Sequence, residues 1–155
     1  MTRQAWTVQG EDSGRADVSA LIRDYFAELT IRYFHRPTDD AEIDLTLAEY
    51  PATGLGVFLV LRADGVAAGH LGVYPTGELT RFFVHPDHRR GGGGRALLAA
   101  AEDWARSQHL RRLFLDTRHD LVEARAFYAS AGFTEIAPPT ASPGKFQDHW
   151  FEKVL

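Results

Sequence analysis

The run Arg89-Arg90-Gly91-Gly92-Gly93-Gly94-Arg95 lies between two segments of different periodicity, and this placement constrains the fold more than any other feature. Ahead of it, Leu79 to Val84 is a short apolar and aromatic stretch with one Thr, which suits a pleated strand. Pro86 and Asp87 break the extended pattern. Beyond it, Leu97, Leu98, Ala101, Trp104 and Ala105 recur at helical spacing, leaving Arg95, Glu102, Asp103 and Arg106 for solvent. The glycines therefore fall at a helix N-terminus, where backbone N–H groups lack helical partners and the macrodipole is positive. Without Cβ atoms the backbone can bend sharply there and an anion can approach it closely. A side chain at Gly92 or Gly94 would collide with such an anion, and a positive φ there would add strain. Strand, amide nest, flanking arginines and helix end make a phosphate site.

The rest of the sequence supplies the frame. Ala5 to Gln9 suits a first edge strand, and Asp17 to about Phe34 reads as a helix through Val18, Leu21, Ile22, Tyr25 and Leu29, stopped by Pro37. Asp39-x-x-Glu42 has the form of a capping box for a shorter helix. Gly56 to Arg62 and Val66 to Tyr74 form a hairpin across Ala63-Asp64-Gly65. After the glycine run and its helix comes a strand from Arg111 to Thr117. A second capping box, Asp120-x-x-Glu123, then opens a helix through Tyr128 that Gly132 ends. Phe133 to Ile136 and His149 to Leu155 are extended. This order predicts an α/β (α+β) fold, with a mixed, mostly antiparallel sheet flanked by helices. A length of 155 residues fits one domain over 1–155.

Composition removes several function classes. A formal net charge of −4 argues against a nucleic-acid surface, which normally needs a basic stripe. The absence of cysteine excludes disulfides, thiolate metal sites and a Cys nucleophile. No metal is expected, because His85-x-x-His88 has no third ligand nearby. No Gly-x-Ser-x-Gly elbow or Gly-x-x-x-x-Gly-Lys-Ser/Thr loop is present. With no secretory h-region and no apolar run approaching a membrane span, the expected compartment is the cytoplasm, without a membrane partner.

Two motifs resemble the GNAT family of N-acetyltransferases. Arg89-Arg90-Gly91-Gly92-Gly93-Gly94 after Val84-His85-Pro86 fits the family's Gln/Arg-x-x-Gly-x-Gly/Ala signature. Ala124-Arg125-Ala126-Phe127-Tyr128-Ala129-Ser130-Ala131-Gly132-Phe133 fits its Ala-x-x-Phe/Leu-Tyr-x-x-x-Gly-Phe helix end. The resemblance covers roughly Gly56 to Phe133 plus the last strand. It implies acetyl-CoA as cosubstrate, its pyrophosphate on Arg89, Arg90, Gly91, Gly92, Gly93, Gly94 and Arg95. The pantetheine arm would lie along the backbone of Phe82, Phe83 and Val84, like an added strand. It also implies Tyr128 as the acid for the leaving thiolate and Glu78, six residues before Val84, as the base. Leu121 stands where the family often has an Asn on the cofactor, so that contact is either absent or supplied by a neighbour such as Asp120.

The expected activity is transfer of acetyl from acetyl-CoA to a small-molecule or peptide amine, by direct attack in a ternary complex. Tyr33, Phe34, Tyr50 and Trp150 are candidate walls for the acceptor, and the protein would act as a monomer or homodimer. Two rivals stand beside this reading. Leu121 leaves open an inactive acyl-CoA-binding sensor. Gly91-x-Gly93-x-x-Ala96, with Asp116 about twenty residues on, formally meets a dinucleotide fingerprint. That second rival requires a doubly wound parallel sheet, which the hairpin at Gly65 opposes.

Overall fold

In β2 (Val57–Ala63) successive side chains point to opposite faces, and both faces are apolar. Leu59, Leu61 and Ala63 pack with α3 (Gly93–Ser107) through Leu97, Leu98, Ala101 and Ala105. Phe58 and Val60 pack on the other side with Val18, Ile22 and Phe26 of α1 (Ala16–Phe34). A strand buried on both faces needs a helix layer on each, and here α3 and α1 supply them. Full burial of each such Leu or Val contributes ~1.5–3 kcal/mol.

The computed structural model describes residues 5–155. Strands β1 (Trp6–Gly10), β2, β3 (Val66–Val73) and β4 (Leu79–Val84) form an antiparallel sheet in that order. A second sheet runs β5 (Arg112–Thr117), β7 (His149–Val154), β6 (Thr134–Ile136), also antiparallel. The remaining α-helices are α2 (Asp40–Glu49) and α4 (Val122–Ser130), and Pro86–His88 forms a short 3-10 turn. The two sheets meet at one isolated parallel bridge, Glu78 with Phe114, beside the Phe114 N–H to Gly77 C=O bond of 3.1 Å. Beyond this point β4 and β5 do not pair, and a cleft opens between them. The four-stranded antiparallel sheet rules out the doubly wound arrangement of the dinucleotide rival.

Element positions follow the sequence reading closely. Asp64 (φ 49°) and Gly65 (φ 87°) both have positive φ at the expected hairpin turn. The first capping box is half formed. Asp39 Oδ1 accepts from the Glu42 N–H at 2.9 Å, but the Glu42 carboxylate turns to Arg36 and Thr38. The second does not form. Leu121 is the N-cap of α4 without a side-chain bond, because Arg118 holds Asp120 and Arg32 holds Glu123. Gly132 (φ 95°) does end that helix. One feature of β4 has no counterpart in the sequence pattern. His70 pairs with Phe83 and Gly72 with Thr80, so β4 carries one more residue than β3 across this span. Arg81 takes φ 53° in this bulge. Among the described residues, no helix is long and apolar enough to cross a membrane.

Candidate active site

The cleft between β4 and β5 has a volume of about 1290 Å³ and is lined from α1, α2, β4, the glycine loop, β5, α4 and the loop before β7. Glu78, Phe82, Phe83, Val84, Arg89, Arg90, Gly92, Gly93, Gly94, Arg95 and Tyr128 all line it, so the sequence-predicted residues come together. Gly91 sits behind them, its C=O accepting from Trp6 Nε1 at 2.8 Å.

Three different causes require glycine in the loop. A Cβ on Gly91 would lie 2.8 Å from the Trp6 ring, and one on Gly93 would lie 2.6 Å from Leu61 Cδ2. Gly92 is the N-cap of α3 at φ 88°. Gly94 has no positive φ, contrary to expectation, and a Cβ there meets Phe127 at an ordinary 3.5 Å. Gly92 has open space too but a positive φ, so Gly94 is the cleft-side position where room and an unstrained backbone together admit a side chain that would meet a ligand. The first bond into α3 is from the Ala96 N–H to the Gly92 C=O at 3.0 Å. The N–H groups of Gly93, Gly94 and Arg95 thus have no helical acceptor.

Strand β4 offers a second set of backbone groups. The His85 N–H donates to the Ala68 C=O at 2.8 Å, which turns alternate residues toward β3. By that alternation the polar groups of Phe82 and Val84 face away from β3, into the cleft. The Val84 C=O accepts from Arg89 Nε at 2.8 Å, and Arg89 Nη2 holds both oxygens of Glu28 at 2.9 and 2.8 Å. Arg89 is thus a clamp between β4 and α1 as well as a cation at the cleft. The two phenylalanines divide as alternation requires. Phe83 is buried against Tyr25 and His70, while half-buried Phe82 stands edge-on to Phe127.

Of the acidic residues that line the cleft, Glu78 and Asp116 have raised pKa values. Burial raises the pKa of Glu78. Burial, then the charge of Glu78, pushes Asp116 at the end of β5 up to about 6. Gln147 Nε2 donates to Asp116 Oδ2 at 3.3 Å. Sequence reasoning placed Asp116 only in the dinucleotide rival; its signal was a lone carboxylate closing an otherwise apolar strand. Tyr128 is 8% exposed, with its ring among Phe82, Phe133 and Phe151. Burial holds its phenol well above the ordinary range. No hydrogen bond to that hydroxyl is made among the described residues.

The acceptor walls need one correction and one addition. Tyr33, Phe34 and Tyr50 line the cleft, but Trp150 is buried beside Phe114 and borders a separate pocket of about 490 Å³. Pairing of β7 with β5 turns Trp150 into that pocket, and Phe146 takes its place with ring centroids 5.0 Å from Tyr33. Leu121 lines the cleft, but Asp120 cannot stand in for the missing Asn, since Arg118 Nε and Nη2 hold both its oxygens at 2.9 Å. Among the described residues, no group of three or more His, Asp or Glu is placed to hold a metal ion.

The acetyltransferase (GNAT) family model matches residues 19–133, a span running from α1 through the glycine loop to the end of α4. The protein belongs to this family, and acetyl-CoA-dependent N-acetyl transfer is its chemistry. It is 36% identical over 109 residues to an aminoglycoside N(6')-acetyltransferase type 1 of Stenotrophomonas maltophilia, a match over 63% of its own length and 71% of that relative's. It is 40% identical over 82 residues to a mycothiol acetyltransferase of Kineococcus radiotolerans, a match over 49% of its own length and only 26% of that relative's. In fold it is similar to the PaiA N-acetyltransferase of Thermoplasma acidophilum, solved in complex with coenzyme A. That likeness has a TM-score of 0.73 at 17% identity, over 97% of this protein and 99% of that one. An acetyltransferase of Streptococcus agalactiae gives 0.74 at 18% identity, over 97% and 98%.

Proposed function

We propose that this protein acts as one cytoplasmic domain, monomeric or homodimeric, moving acetyl from acetyl-CoA to a small-molecule or peptide amine by direct attack in a ternary complex. The observation that carries the reading is the alignment of two backbone donor sets on one cleft. The free N–H groups of Gly93, Gly94 and Arg95 lie at one end, and the inward groups of Phe82 and Val84 run along its wall. The first set binds the pyrophosphate, helped by Arg90 and Arg95. The second pairs with the pantetheine arm and presents an N–H to the thioester oxygen.

Chemistry then needs a free amine and a proton for sulfur. The Glu78–Asp116 pair takes the ammonium proton; Asp116, at about 6, is closer to the ideal for a base at neutral pH than an ordinary carboxylate. The amine nitrogen bonds to the acetyl carbon, the C–S bond breaks, the Tyr128 hydroxyl protonates the departing thiolate, and the second proton lost by the new amide nitrogen restores the phenol. Its raised pKa keeps the phenol protonated until then. The rival that Leu121 left open, an acyl-CoA sensor without turnover, is opposed by the family membership. Thiol release from acetyl-CoA in the presence of an amine panel, read beside calorimetric binding of acetyl-CoA, tests the proposal. Binding with no thiol release from any amine would favour the sensor.

A further inference from the structure

The acceptor end of the cleft has a specific charge pattern. Of its acidic residues, Glu28 is taken by Arg89, Glu42 by Arg36 and Glu123 by Arg32. Glu78 and Asp116 remain beside the transfer site, and Glu49 remains at the exposed lip beside Tyr50. Of the cations, Arg118 is neutralised by Asp120. Arg81 is different. It projects from the β4 bulge onto the Phe26 ring, with its guanidinium carbon 5.1 Å from the centroid, and spends Nη2 on the Tyr50 C=O at 2.9 Å. No carboxylate pairs with it among the described residues, and partial burial lowers its pKa. Lys145 lies over Tyr33 and Phe146, 5.9 and 5.4 Å from their centroids, again without an acidic partner among the described residues.

A partly desolvated guanidinium without a counter-ion is costly until an anion fills the place, and its planar fork suits a carboxylate. Arg81, Tyr25 and Asp116 all line this one cleft, so a cationic and an anionic group share the same space. Rings of Tyr33, Phe34, Tyr50 and Phe146 wall the space outside them. We propose that the acceptor is an amine that also carries a carboxylate. It would be an amino-acid-like zwitterion with an apolar or aromatic body, its carboxylate on Arg81 and its amine directed to Glu78 and Asp116. This rests on the acetyl-transfer reading of the same cleft. A polycation would meet Arg81 and Lys145 with only Glu78, Asp116 and the lip residue Glu49 unpaired, so an aminoglycoside fits this charge pattern poorly.

The test uses phenylalanine, phenylalaninamide, phenethylamine and kanamycin, with thiol release giving kcat/KM and calorimetry giving affinity for the CoA-loaded protein. Phenylalanine should exceed both of its uncharged-end counterparts by tenfold or more, and kanamycin by at least as much. The amide's amine is less basic and so more available as free base at neutral pH, which means nucleophile supply does not produce this order. Arg81→Gln should abolish the preference while leaving acetyl-CoA affinity within about threefold, and Arg81→Lys should keep part of it. Melting of both variants checks that the bulge survives; if Arg81→Gln melts early, Arg81→Lys and the wild-type series decide. Equal use of acid and amide, preference for kanamycin, or a preference that survives Arg81→Gln would overturn the proposal and leave acetyl transfer standing. Selective binding of phenylalanine without thiol release from any amine would uphold the carboxylate subsite at Arg81 and sink the acetyl-transfer reading.

Discussion

The Nδ1–H of His70 donates to the backbone carbonyl oxygen of Arg81 at 2.6 Å, so a fully buried imidazole holds the bulge from which the cleft's unpaired guanidinium projects. The ring sits among Tyr25, Phe58 and Phe83, and Nε2 is buried without a partner. A proton on Nε2 would therefore enter the core with only minor help from backbone groups such as that of Leu21, and burial pushes the His70 pKa down to about 4.

That shift predicts a sign and a window. Between about 4 and the unfolded value of 6.5 the unfolded state binds a proton that the folded state refuses, so this group's contribution falls as pH falls. The full loss is about 3 kcal/mol, complete near pH 4. Denaturant unfolding across this range should show it as a difference between wild type and His70→Asn, which cannot titrate but retains a donor near Nδ1. His70→Phe should also lose the acid sensitivity, and in addition lower kcat/KM roughly tenfold or more, because the Arg81 carbonyl is left unpaired. Wild-type turnover by His70→Phe would separate the histidine from the cleft.

Asp116 contributes with the opposite sign. Its folded pKa, about 6, lies above its unfolded value of 3.8, so the folded state binds the extra proton and stability declines as pH rises through this interval. Asp116→Asn should stabilise the fold at pH 7, by up to about 3 kcal/mol, and not at pH 3.5. The same variant should lose on the order of a hundredfold in kcat. Glu78→Gln removes the larger of the two carboxylate charges that add to burial in raising that pKa, so the acidic limb of kcat/KM should move to lower pH. Because the carboxyls interact, that limb belongs to the pair. An unmoved limb in both variants would transfer the base role to solvent.

The loop makes a graded prediction. Gly94→Glu should abolish acetyl-CoA binding by calorimetry with little change in melting temperature, since its Cβ has room and the rest of the side chain enters the cleft. Gly93→Ala should do the reverse, destabilising the protein through its 2.6 Å approach to Leu61. Wild-type affinity in Gly94→Glu would remove the pyrophosphate from this loop.

Tyr128→Phe keeps the ring in the core and deletes a hydroxyl that has no protein partner among the described residues. Stability should barely change, and kcat should fall roughly ten- to a thousandfold. Affinity for acetyl-CoA should stay within a few-fold, as one hydrogen bond contributes ~1 kcal/mol. Neighbouring Phe127 is half-buried against Phe82 at the cleft wall, so its truncation should cost less than the ~3–5 kcal/mol of a core phenylalanine. Unchanged turnover in Tyr128→Phe would leave the tyrosine a structural residue.

Local pattern disclosed the strands, the long helix and the glycine loop, because period and turn chemistry are local properties. What it missed depends on partners distant in sequence. The capping box at Asp120 satisfied the local rule but lost to Arg118 and to Arg32 of α1. Arg81 reads as one charge in an apolar strand until the extra residue in β4 turns it. His70 and Trp6 carry no motif, and become informative only when the fold sets them against Arg81 and Gly91. Phe146 lies in a stretch without periodicity, and only the fold of that loop brings it to Tyr33.

Trp6 lies on the edge strand β1, bonded on one side only, and its indole holds the carbonyl of Gly91. Detachment of that strand would remove both the indole N–H and the ring that supports the glycines from behind. Cofactor affinity and the local opening of β1 are thus linked equilibria, and each must shift the other by the same free energy. Filling the anion loop should slow amide hydrogen exchange in β1, a strand that does not line the cleft.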